Sequence, residues 1–423
     1  MPTSLIVLIT AAATWLLIIV IRQFISPEKT VSHELDHLYG VEDAQFLRTI
    51  GGLLPPAILG GNKIMPLVNG DEIFPAMLEA IRSAKRNIAF ETFIYWEGQI
   101  GRAFAEALTE RARAGVKVHV LLDWLGSNKI DPKMLEELKQ AGADVQRYHP
   151  LRWYNLHRVN NRTHRKLLVV DGRVGFTGGV GIADEWTGDA QDPEHWRDSH
   201  YKLEGPAVGQ MQAAFMDNWL KTHDKVLHGE EYFPALEPAG DSPAQLFMSS
   251  PEDGSESCRL MYLLSITAAK TSIRLGTAYF IPDKLATATL VAAQQRGVKV
   301  EIIVPGKNID TEPVRRASRS LWGPLLEAGI AIYEYGPTMY HTKVMVVDDL
   351  WVSVGSTNFD NRSFRLNDEA NLNVYDAELA AHETRCFKRD KSRSKQITYE
   401  QWTNRPLREK LIEHAAGLLR LQM

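Results

Sequence analysis

The sequence HRKLLVVD at residues 164–171 has a near copy, HTKVMVVD, at residues 341–348. Each copy carries a histidine and a lysine two residues apart, followed by an apolar run and an aspartate. Side chains two apart on a strand point to the same face, so the histidine and lysine of each copy are predicted to lie together where a buried strand begins. One such motif can arise by chance, but two at equivalent places in a repeated unit indicate function.

Three other segments recur in the same order around these motifs, which indicates that one structural unit is used twice. The matching pairs are AKRNI with AKTSI, AGVKV with RGVKV, and QAG with EAG, at residues 84–88 and 269–273, 114–118 and 296–300, and 140–142 and 327–329. Helical segments that end at glycine alternate with short runs of branched residues, which predicts an α/β sandwich in each half. By analogy with isologous dimers, we expect a pseudo-two-fold axis that turns equivalent sheet ends toward one cleft.

The predicted domain organisation places the two α/β halves between terminal segments of different character. The order is an N-terminal transmembrane anchor (1–26), a connector (27–61), the first half (62–243), the second half (244–400) and a C-terminal amphipathic helix (401–423). The boundary between the halves is placed near residues 241–245, after a stretch containing proline and glycine. The C-terminal helix is expected to pack on the body or lie on the membrane through one apolar face, formed by Leu407, Leu411, Ala415, Leu418 and Leu419.

Residues 5–21 contain nothing more polar than threonine and are long enough to cross a hydrocarbon core of about 30 Å. A cleaved signal peptide is disfavoured, because no Lys or Arg precedes the apolar run. A buried helix of a soluble domain is the other alternative. Arg22 and Lys29 follow the run, which favours a cytoplasmic body.

The apolar residues 49–61 are too short and too interrupted by Pro55-Pro56 to span, so we interpret them as a connector that could lie at the membrane surface.

Composition excludes several classes of protein. The 423 residues include 48 Lys and Arg against 52 Asp and Glu, a formal net charge of −4, which argues against binding a long nucleic acid. A hydrophobic content of 44% excludes a disordered chain. The two cysteines, Cys258 and Cys386, exclude a disulfide scaffold and a four-cysteine metal site, and we expect both to be free thiols.

The paired motifs favour phosphoryl chemistry. A neutral imidazole can attack phosphorus, and a protonated imidazole can donate a proton to a leaving alkoxide. Two lysine ammonium groups can neutralise the non-bridging oxygens in the transition state. A phosphodiester needs one nucleophile and one acid, and two half-sites that face one cleft would supply one of each.

Polar residues that follow the motifs are candidates for supporting roles. Ser356 and Asn358 alternate onto one face and are predicted to donate hydrogen bonds to phosphate oxygens, with turn formation as the alternative. Glu369 is predicted to hold a histidine ring in one tautomer. The first half has GGVG at residues 178–181 in the corresponding place and offers Asp198 as the matching carboxylate.

On these residues the chain resembles the phospholipase D superfamily with two HKD motifs, and within it the bacterial cardiolipin synthases. The resemblance extends from about Asn62 to the C-terminus. The narrower likeness rests on the anchor, on FET at residues 90–92, on GSTNFD at residues 355–360 and on the tail around Trp402.

The resemblance implies an α/β fold in two phospholipase D-like halves and a reaction without metal or cofactor. It implies that the catalytic residues are the His, Lys and Asp of each motif, namely His164, Lys166, Asp171, His341, Lys343 and Asp348. The two aspartates are expected to support the fold of the site. Gly179 and Gly181 stand where many members carry Ser or Asn, so the half-sites are unequal. This leaves the identity of the nucleophile open, with His164 favoured and His341 as the acid.

The function implied by the resemblance is a phosphatidyltransferase that forms cardiolipin from phosphatidylglycerol through a phosphohistidine and releases glycerol. A phospholipase D hydrolase is the nearest alternative, because water exclusion and not the motif decides the acceptor. An HKD nuclease is disfavoured by the charge and the anchor, and a non-catalytic scaffold by the intact motifs. We expect phospholipid substrates, no nucleic acid, and a location at the cell inner membrane with one N-terminal span. The oligomeric state is left open.

Overall fold

One continuous sheet runs through the body of the protein. The computed structural model describes residues 2–22, 31, 33–150, 160–250 and 257–417. Within these residues, fifteen strands form a single sheet and two short strands form a second one. Helices cover the faces of the large sheet, which is the α/β layer structure that the sequence predicts.

The elements follow the chain in alternating order. The strands of the first half are β1 (Leu59–Val68), β2 (Asn87–Thr92), β3 (Lys117–Asp123), β4 (Asp144–Tyr148), β5 (Leu167–Val170), β6 (Val174–Gly178) and β7 (Ser199–Glu204). Those of the second half are β8 (Ser242–Ser249), β9 (Ser272–Thr277), β10 (Phe280–Ile281), β11 (Lys299–Pro305), β12 (Ala331–Tyr335), β13 (Lys343–Val347), β14 (Trp351–Gly355), β15 (Phe359–Asp360), β16 (Glu369–Tyr375) and β17 (Ser394–Ile397).

The helices up to the middle of the chain are α1 (Thr3–Arg22), α2 (Ala44–Leu53), α3 (Asn69–Ser83), α4 (Gln99–Arg113), α5 (Pro132–Gln140) and α6 (Val208–Leu220). Those that follow are α7 (Ser257–Ala268), α8 (Lys284–Gln295), α9 (Glu312–Ser320), α10 (Gly323–Glu327), α11 (Asn361–Arg365), α12 (Ala377–Ser392), α13 (Tyr399–Thr403) and α14 (Leu407–Gly417).

The two halves repeat one strand order and meet at equivalent strands. From its outer edge inward, the first half reads β4-β3-β2-β5-β6-β7-β1, and the second reads β17-β12-β11-β9-β13-β14-β16-β8, in which only the edge strand β17 has no counterpart among the described residues of the first half. The strands β1 and β8 pair antiparallel at the centre of the sheet. The predicted arrangement of two similar halves around a pseudo-two-fold axis is therefore confirmed.

Each half has an apolar core of its own, and a third core joins them. The joining cluster contains Leu203 and Phe215 from the first half and Val352 and Leu372 from the second, all completely buried. Because this cluster continues across the boundary, separating the halves would expose it to water.

The paired motifs lie at equivalent positions of this sheet. The strand β5 begins directly after Lys166, and β13 begins at Lys343, so both His-Lys pairs stand at the starts of equivalent strands.

The motif aspartates, Asp171 and Asp348, lie at the far ends of these two strands. They accept hydrogen bonds of 2.7–3.2 Å from backbone N–H groups at the starts of β2 and β9, namely those of Lys85, Arg86, Asn87, Lys270, Thr271 and Ser272. These contacts are consistent with the prediction that the two aspartates support the fold.

The segment interpreted as a connector is largely part of the folded body. In α2 and just after it, Phe46, Ile50 and Leu54 are completely buried against the core of the second half. The ring of Phe46 packs edge-on against Trp351 with centroids 5.0 Å apart. The strand β1 already begins at Leu59. Ile50 and Leu54 of this segment are thus core residues, whereas Leu53 is 56% exposed, and a position of the whole segment at the membrane surface stays a prediction.

The C-terminal helix packs through a face that the apolar periodicity does not predict. In α14, Leu407 and Leu411 are 76% and 72% exposed, whereas Glu413 is buried. The carboxylate of Glu413 forms ion pairs with Arg319 at 3.0 Å and Arg405 at 2.6 Å. The apolar face is therefore turned away from the body. The last two positions of that face, Leu418 and Leu419, lie outside the described residues.

The N-terminal helix α1 carries apolar side chains that the body does not cover. Its large hydrophobic side chains are 43–67% exposed: Leu5, Ile6, Val7, Leu8, Ile9, Trp15, Leu16, Leu17 and Ile18. Among the parts of the chain that are described, no helix combines the length and apolarity needed to cross a membrane. The last residues of the predicted anchor, 23–26, lie outside those parts.

Both cysteines are buried and free, as predicted. Burial raises the pKa of the Cys258 thiol to about 12 and that of Cys386 to about 11. Both thiols are therefore protonated at neutral pH and are poor nucleophiles.

Candidate active site

Both motif histidines line one cavity between the halves. The cavity has a volume of about 230 Å³, and its wall includes His164 and His341. Aromatic rings of Phe93 and Trp196 and the side chain of Lys166 form other parts of the wall. This is the convergence of two half-sites on one cleft that the sequence predicts.

The backbone holds each histidine against the opposite half. The N–H of His164 donates to the carbonyl of Asp368 at 2.9 Å, and the N–H of His341 donates to the carbonyl of Arg197 at 2.8 Å. Asp368 is followed by Glu369 and Arg197 by Asp198, the two carboxylates that are predicted to hold the histidine rings. The two docking contacts are therefore equivalent under the pseudo-two-fold axis.

Each imidazole is hydrogen-bonded to a carboxylate from the other half. The Nδ1 atom of His164 lies 3.0 Å from both carboxylate oxygens of Glu369. The Nδ1 atom of His341 lies 2.7 Å from Oδ2 of Asp198. A carboxylate in this position accepts the Nδ1 proton and leaves Nε2 to face a substrate. The sequence indicated both carboxylates, but it did not show that the partners are exchanged between the halves.

Burial keeps the imidazoles neutral, while neighbouring histidine and lysine side chains keep the carboxylates charged. It lowers the pKa of His164 to about 4 and that of His341 to about 3. For Glu369, burial acts to raise the pKa, but the nearby His164 and Lys166 lower it overall to about 2. The pKa of Asp198 is also lowered, against the effect of burial, by His341. An unprotonated Nε2 is thus available at neutral pH.

The motif lysines are buried cations beside the histidines. The Nζ atom of Lys166 donates to the carbonyl of His164 at 2.7 Å, and that of Lys343 donates to the carbonyl of His341 at 2.6 Å. Lys343 Nζ also lies 3.2 Å from Nε2 of His341. Burial lowers the pKa of Lys166 to about 7 and that of Lys343 to about 8. An anionic substrate would stabilise both ammonium groups.

Ser356 and Asn358 occupy different environments. The hydroxyl of Ser356 donates to Oε2 of Glu369 at 2.5 Å and accepts from the N–H of Ala370 at 3.0 Å, so it supports the carboxylate. Its predicted contact with phosphate is not supported by this position. Asn358 does line the cavity, and its Oδ1 atom has no hydrogen-bond partner among the described residues.

The comparisons with known proteins agree with this geometry. A family described as "Cardiolipin synthase, PLD-like domain" matches residues 77–192 and 262–391, which contain both motifs. The chain belongs to this family.

Curated members of the cardiolipin synthase family match most of the chain. Cardiolipin synthase 1 of Bacillus anthracis is 36% identical over 84% of this chain and 71% of its own length. The major cardiolipin synthase ClsA of Bacillus subtilis (strain 168) is 37% identical over 85% of this chain and 75% of its own length. Among solved structures, the phosphatidylserine synthase of Haemophilus influenzae Rd KW20 has a TM-score of 0.64 and 15% identity, and the match covers 90% of this chain and 99% of that one. That likeness shows a shared fold.

In this member of the cardiolipin synthase family, the two carboxylates are held by different donors. Where the second half has Ser356, the first half has Gly179, and a Cβ there would lie 2.1 Å from Oδ1 of Asp198. The missing hydroxyl is replaced by the indole of Trp186, whose Nε1–H donates to Oδ2 of Asp198 at 2.9 Å. Sequence reasoning missed Trp186. Gly179 was a usable signal in the sequence, because it has no hydroxyl to donate to Asp198 in the way that Ser356 donates to Glu369.

Glu91 is a second residue whose place near the site was missed. Its side chain is completely buried behind the histidine of the first motif. It accepts hydrogen bonds from the hydroxyl of Thr163 at 2.5 Å and from the amide of Asn218 at 2.7 Å. Burial raises the pKa of Glu91 to about 7. Glu91 thus fixes the residue that precedes His164.

Proposed function

We propose that the chain is a phosphatidyltransferase that joins two phosphatidylglycerol molecules into cardiolipin and releases glycerol. The observation that carries the proposal is the pair of neutral imidazoles, one from each half, on one cavity with two buried lysines. Membership of the cardiolipin synthase family supports the choice of substrate.

In the proposed first step, Nε2 of His164 attacks the phosphorus of the donor lipid. The bond between phosphorus and the glycerol oxygen breaks, and protonated His341 gives its Nε2 proton to the leaving oxygen. The negative charge of the bound phosphodiester raises the pKa of His341, which allows it to carry this proton. His164 is the better nucleophile because Lys343 Nζ lies beside the ring of His341, 3.1 Å from Nδ1 and 3.2 Å from Nε2, and its positive charge makes that ring less basic.

In the proposed second step, the hydroxyl of the acceptor lipid replaces the histidine. Its proton passes to Nε2 of His341, its oxygen bonds to phosphorus, and the bond between phosphorus and His164 breaks. Lys166, Lys343 and Asn358 would stabilise the charge on the non-bridging oxygens in both steps. Glu369 and Asp198 would hold the two rings and stabilise each imidazolium as it forms.

The size of the cavity supports a site for headgroups only. Its volume of about 230 Å³ is below the roughly 300–1,000 Å³ usual for pockets that enclose a drug-sized ligand. The acyl chains would remain outside, in the bilayer, so the body must stay beside a membrane. We propose that α1 and its exposed apolar side chains anchor it there as a single span at the cell inner membrane, with the body on the cytoplasmic side.

Purified protein mixed with phosphatidylglycerol vesicles tests the proposed function. We expect cardiolipin and free glycerol in equal amounts, measured by mass spectrometry of the lipids and an enzymatic glycerol assay. Phosphatidic acid as the only lipid product would overturn the transferase and favour a hydrolase that uses water. A double variant, His164→Asn with His341→Asn, is the control for background hydrolysis.

A further inference from the structure

Two arginines line the cavity in addition to Lys166. Arg162 is almost completely buried, and Arg362 lies on α11 of the other half. Arg162 forms an ion pair with Asp123 at 3.5 Å, and Arg362 donates to the side chain of Asn160 at 2.9 Å. The donor phosphodiester already has the two motif lysines, so its single charge does not account for these guanidinium groups.

The two guanidinium groups are close enough to affect each other. The pKa of Arg362 is lowered, chiefly because the side chain is buried; the charge of Asp360 acts to raise this pKa, and the charge of Arg162 acts to lower it. The acidic side chains on the same wall also accept hydrogen bonds from neighbouring residues. Asp310 accepts from the hydroxyl of Tyr279 at 2.6 Å, and Asp360 accepts from the N–H of Ser363 at 2.7 Å. Two neighbouring buried cations of this kind are stabilised when an anion binds between them.

An unpartnered hydrogen-bond acceptor lies beside the arginines. Asn367 lines the cavity and is 6% exposed. Its Nδ2 donates to Oε1 of Glu369 at 3.4 Å, which orients the amide, and its Oδ1 has no partner within the described part of the chain. Its backbone N–H donates to the carbonyl of Arg362 at 3.0 Å, so the two residues are fixed relative to each other. A buried carbonyl oxygen in this state is suited to a hydroxyl donor.

We propose that Arg162, Arg362 and Asn367 form the subsite for the headgroup of the acceptor lipid. The guanidinium groups bind the phosphate of the acceptor, and Oδ1 of Asn367 accepts a hydrogen bond from its glycerol. This rests on the proposed function, because only an acceptor that is itself a phosphodiester brings a second negative charge into the cavity. The contact between Asn367 and Glu369, the carboxylate that holds His164, places the acceptor next to the phosphohistidine.

The subsite explains how an anionic lipid can be preferred over water or free glycerol. Guanidinium groups bind phosphate through paired hydrogen bonds in a fixed geometry, which a neutral alcohol cannot use. The same chemistry would accept a soluble glycerol phosphate. An experiment can therefore compare acceptors that differ only in charge, or only in attachment to a lipid.

The test measures kcat/KM for phosphatidyl transfer from labelled phosphatidylglycerol to three acceptors: unlabelled phosphatidylglycerol, glycerol phosphate and glycerol. We expect wild-type protein to prefer both anionic acceptors over glycerol. In Arg362→Gln, that preference should fall by about 10- to 100-fold, since a hydrogen bond to a charged group is lost, and Arg362→Lys should restore part of it. A loss for phosphatidylglycerol alone would overturn a phosphate subsite, because it would point to the lipid chains.

The matched control is Arg365→Gln, on the same helix but not on the cavity wall, which should keep the wild-type preference. Equal losses for anionic and neutral acceptors in both Arg362 variants would overturn the subsite. Thermal melting of each variant distinguishes this result from unfolding. A wild-type protein that releases only phosphatidic acid would instead overturn the proposed function, so the two failures are distinguishable.

Discussion

At the scale of single residues, each imidazole depends on a carboxylate from the opposite half. Glu369 approaches His164 with both oxygens at 3.0 Å, and Asp198 approaches His341 at 2.7 Å. Both carboxylates are buried and ionised, so they can fix the tautomer of the ring and stabilise its protonated form. Their charge, and not only their shape, should therefore matter for turnover.

We predict that Glu369→Gln lowers kcat by about 10²- to 10⁴-fold, since the amide keeps the shape of the side chain but loses its charge. The KM for phosphatidylglycerol should change much less, because substrate binding uses the lysines. Steady-state kinetics of cardiolipin formation measure both constants. The exposed Glu378→Gln serves as the control, and a kcat for Glu369→Gln within threefold of wild type would contradict the prediction.

The motif lysines give the reaction an alkaline limit. As the pH rises through their lowered pKa values, about 7 for Lys166 and about 8 for Lys343, each ammonium loses its proton and no longer neutralises phosphate. We predict that kcat/KM, which reports the free enzyme, declines with rising pH because His341, with a pKa of about 3, loses the proton that it must donate, and that the decline becomes steeper above pH 7–8, where the lysines lose theirs. A pH profile that stays flat from 6 to 10 would be inconsistent with this assignment.

At the scale of elements, the motif aspartates tie the strands that carry the histidines to their neighbours. Asp348 accepts three backbone N–H groups at the start of β9, each at 2.8 Å, and Asp171 does the same at β2. Removing the acceptor leaves these donors without a partner. The effect should appear in stability first.

We predict that Asp348→Ala lowers the free energy of unfolding by about 1 kcal/mol, because the partly buried N–H of Ser272 loses its acceptor while those of Lys270 and Thr271 can bond to water. Asp348→Asn, which keeps one acceptor oxygen, should lose less. Urea denaturation measures the difference, and the folded fraction of either variant should retain far more activity than His341→Asn. Unchanged stability in Asp348→Ala would refute the structural role.

Local pattern predicted some elements well but could not show which face of a helix meets the body. The apolar run after each motif identified β5 and β13, because a buried strand needs little more than consecutive branched residues. The face of α14 that meets the body could not be predicted, because the apolar spacing of Leu407 and Leu411 says nothing about Glu413. That carboxylate is buried by arginines at positions 319 and 405, and their approach depends on the tertiary fold.

At the scale of the whole molecule, the site exists only where the two halves meet. The repeated segments were sufficient to predict two similar halves and a shared cleft. They could not show that Glu369 holds His164 and Asp198 holds His341, because this exchange follows from the docking of the halves through β1 and β8. Arg162 and Arg362 were missed for the same reason, since each comes from a different half.

The proposed position at a membrane also concerns the whole chain. We predict that deletion of residues 1–30 moves most of the protein from the membrane fraction to the soluble fraction, because it removes the exposed apolar side chains of α1. Activity on lipids dispersed in detergent should remain within a few-fold of wild type, as the cavity is built by other elements. Ultracentrifugation measures the distribution, and a truncated protein that stays with the membrane would disprove the anchor.

The central claim is that two imidazoles, one from each half, act on one phosphorus. The most direct measurement is mass spectrometry of peptides from His341→Ala protein, quenched during incubation with phosphatidylglycerol. The account predicts a phosphatidyl group on the peptide that contains His164, and none in His164→Ala protein. Cardiolipin formation by the wild type, with no adduct on either histidine in either variant, would contradict it.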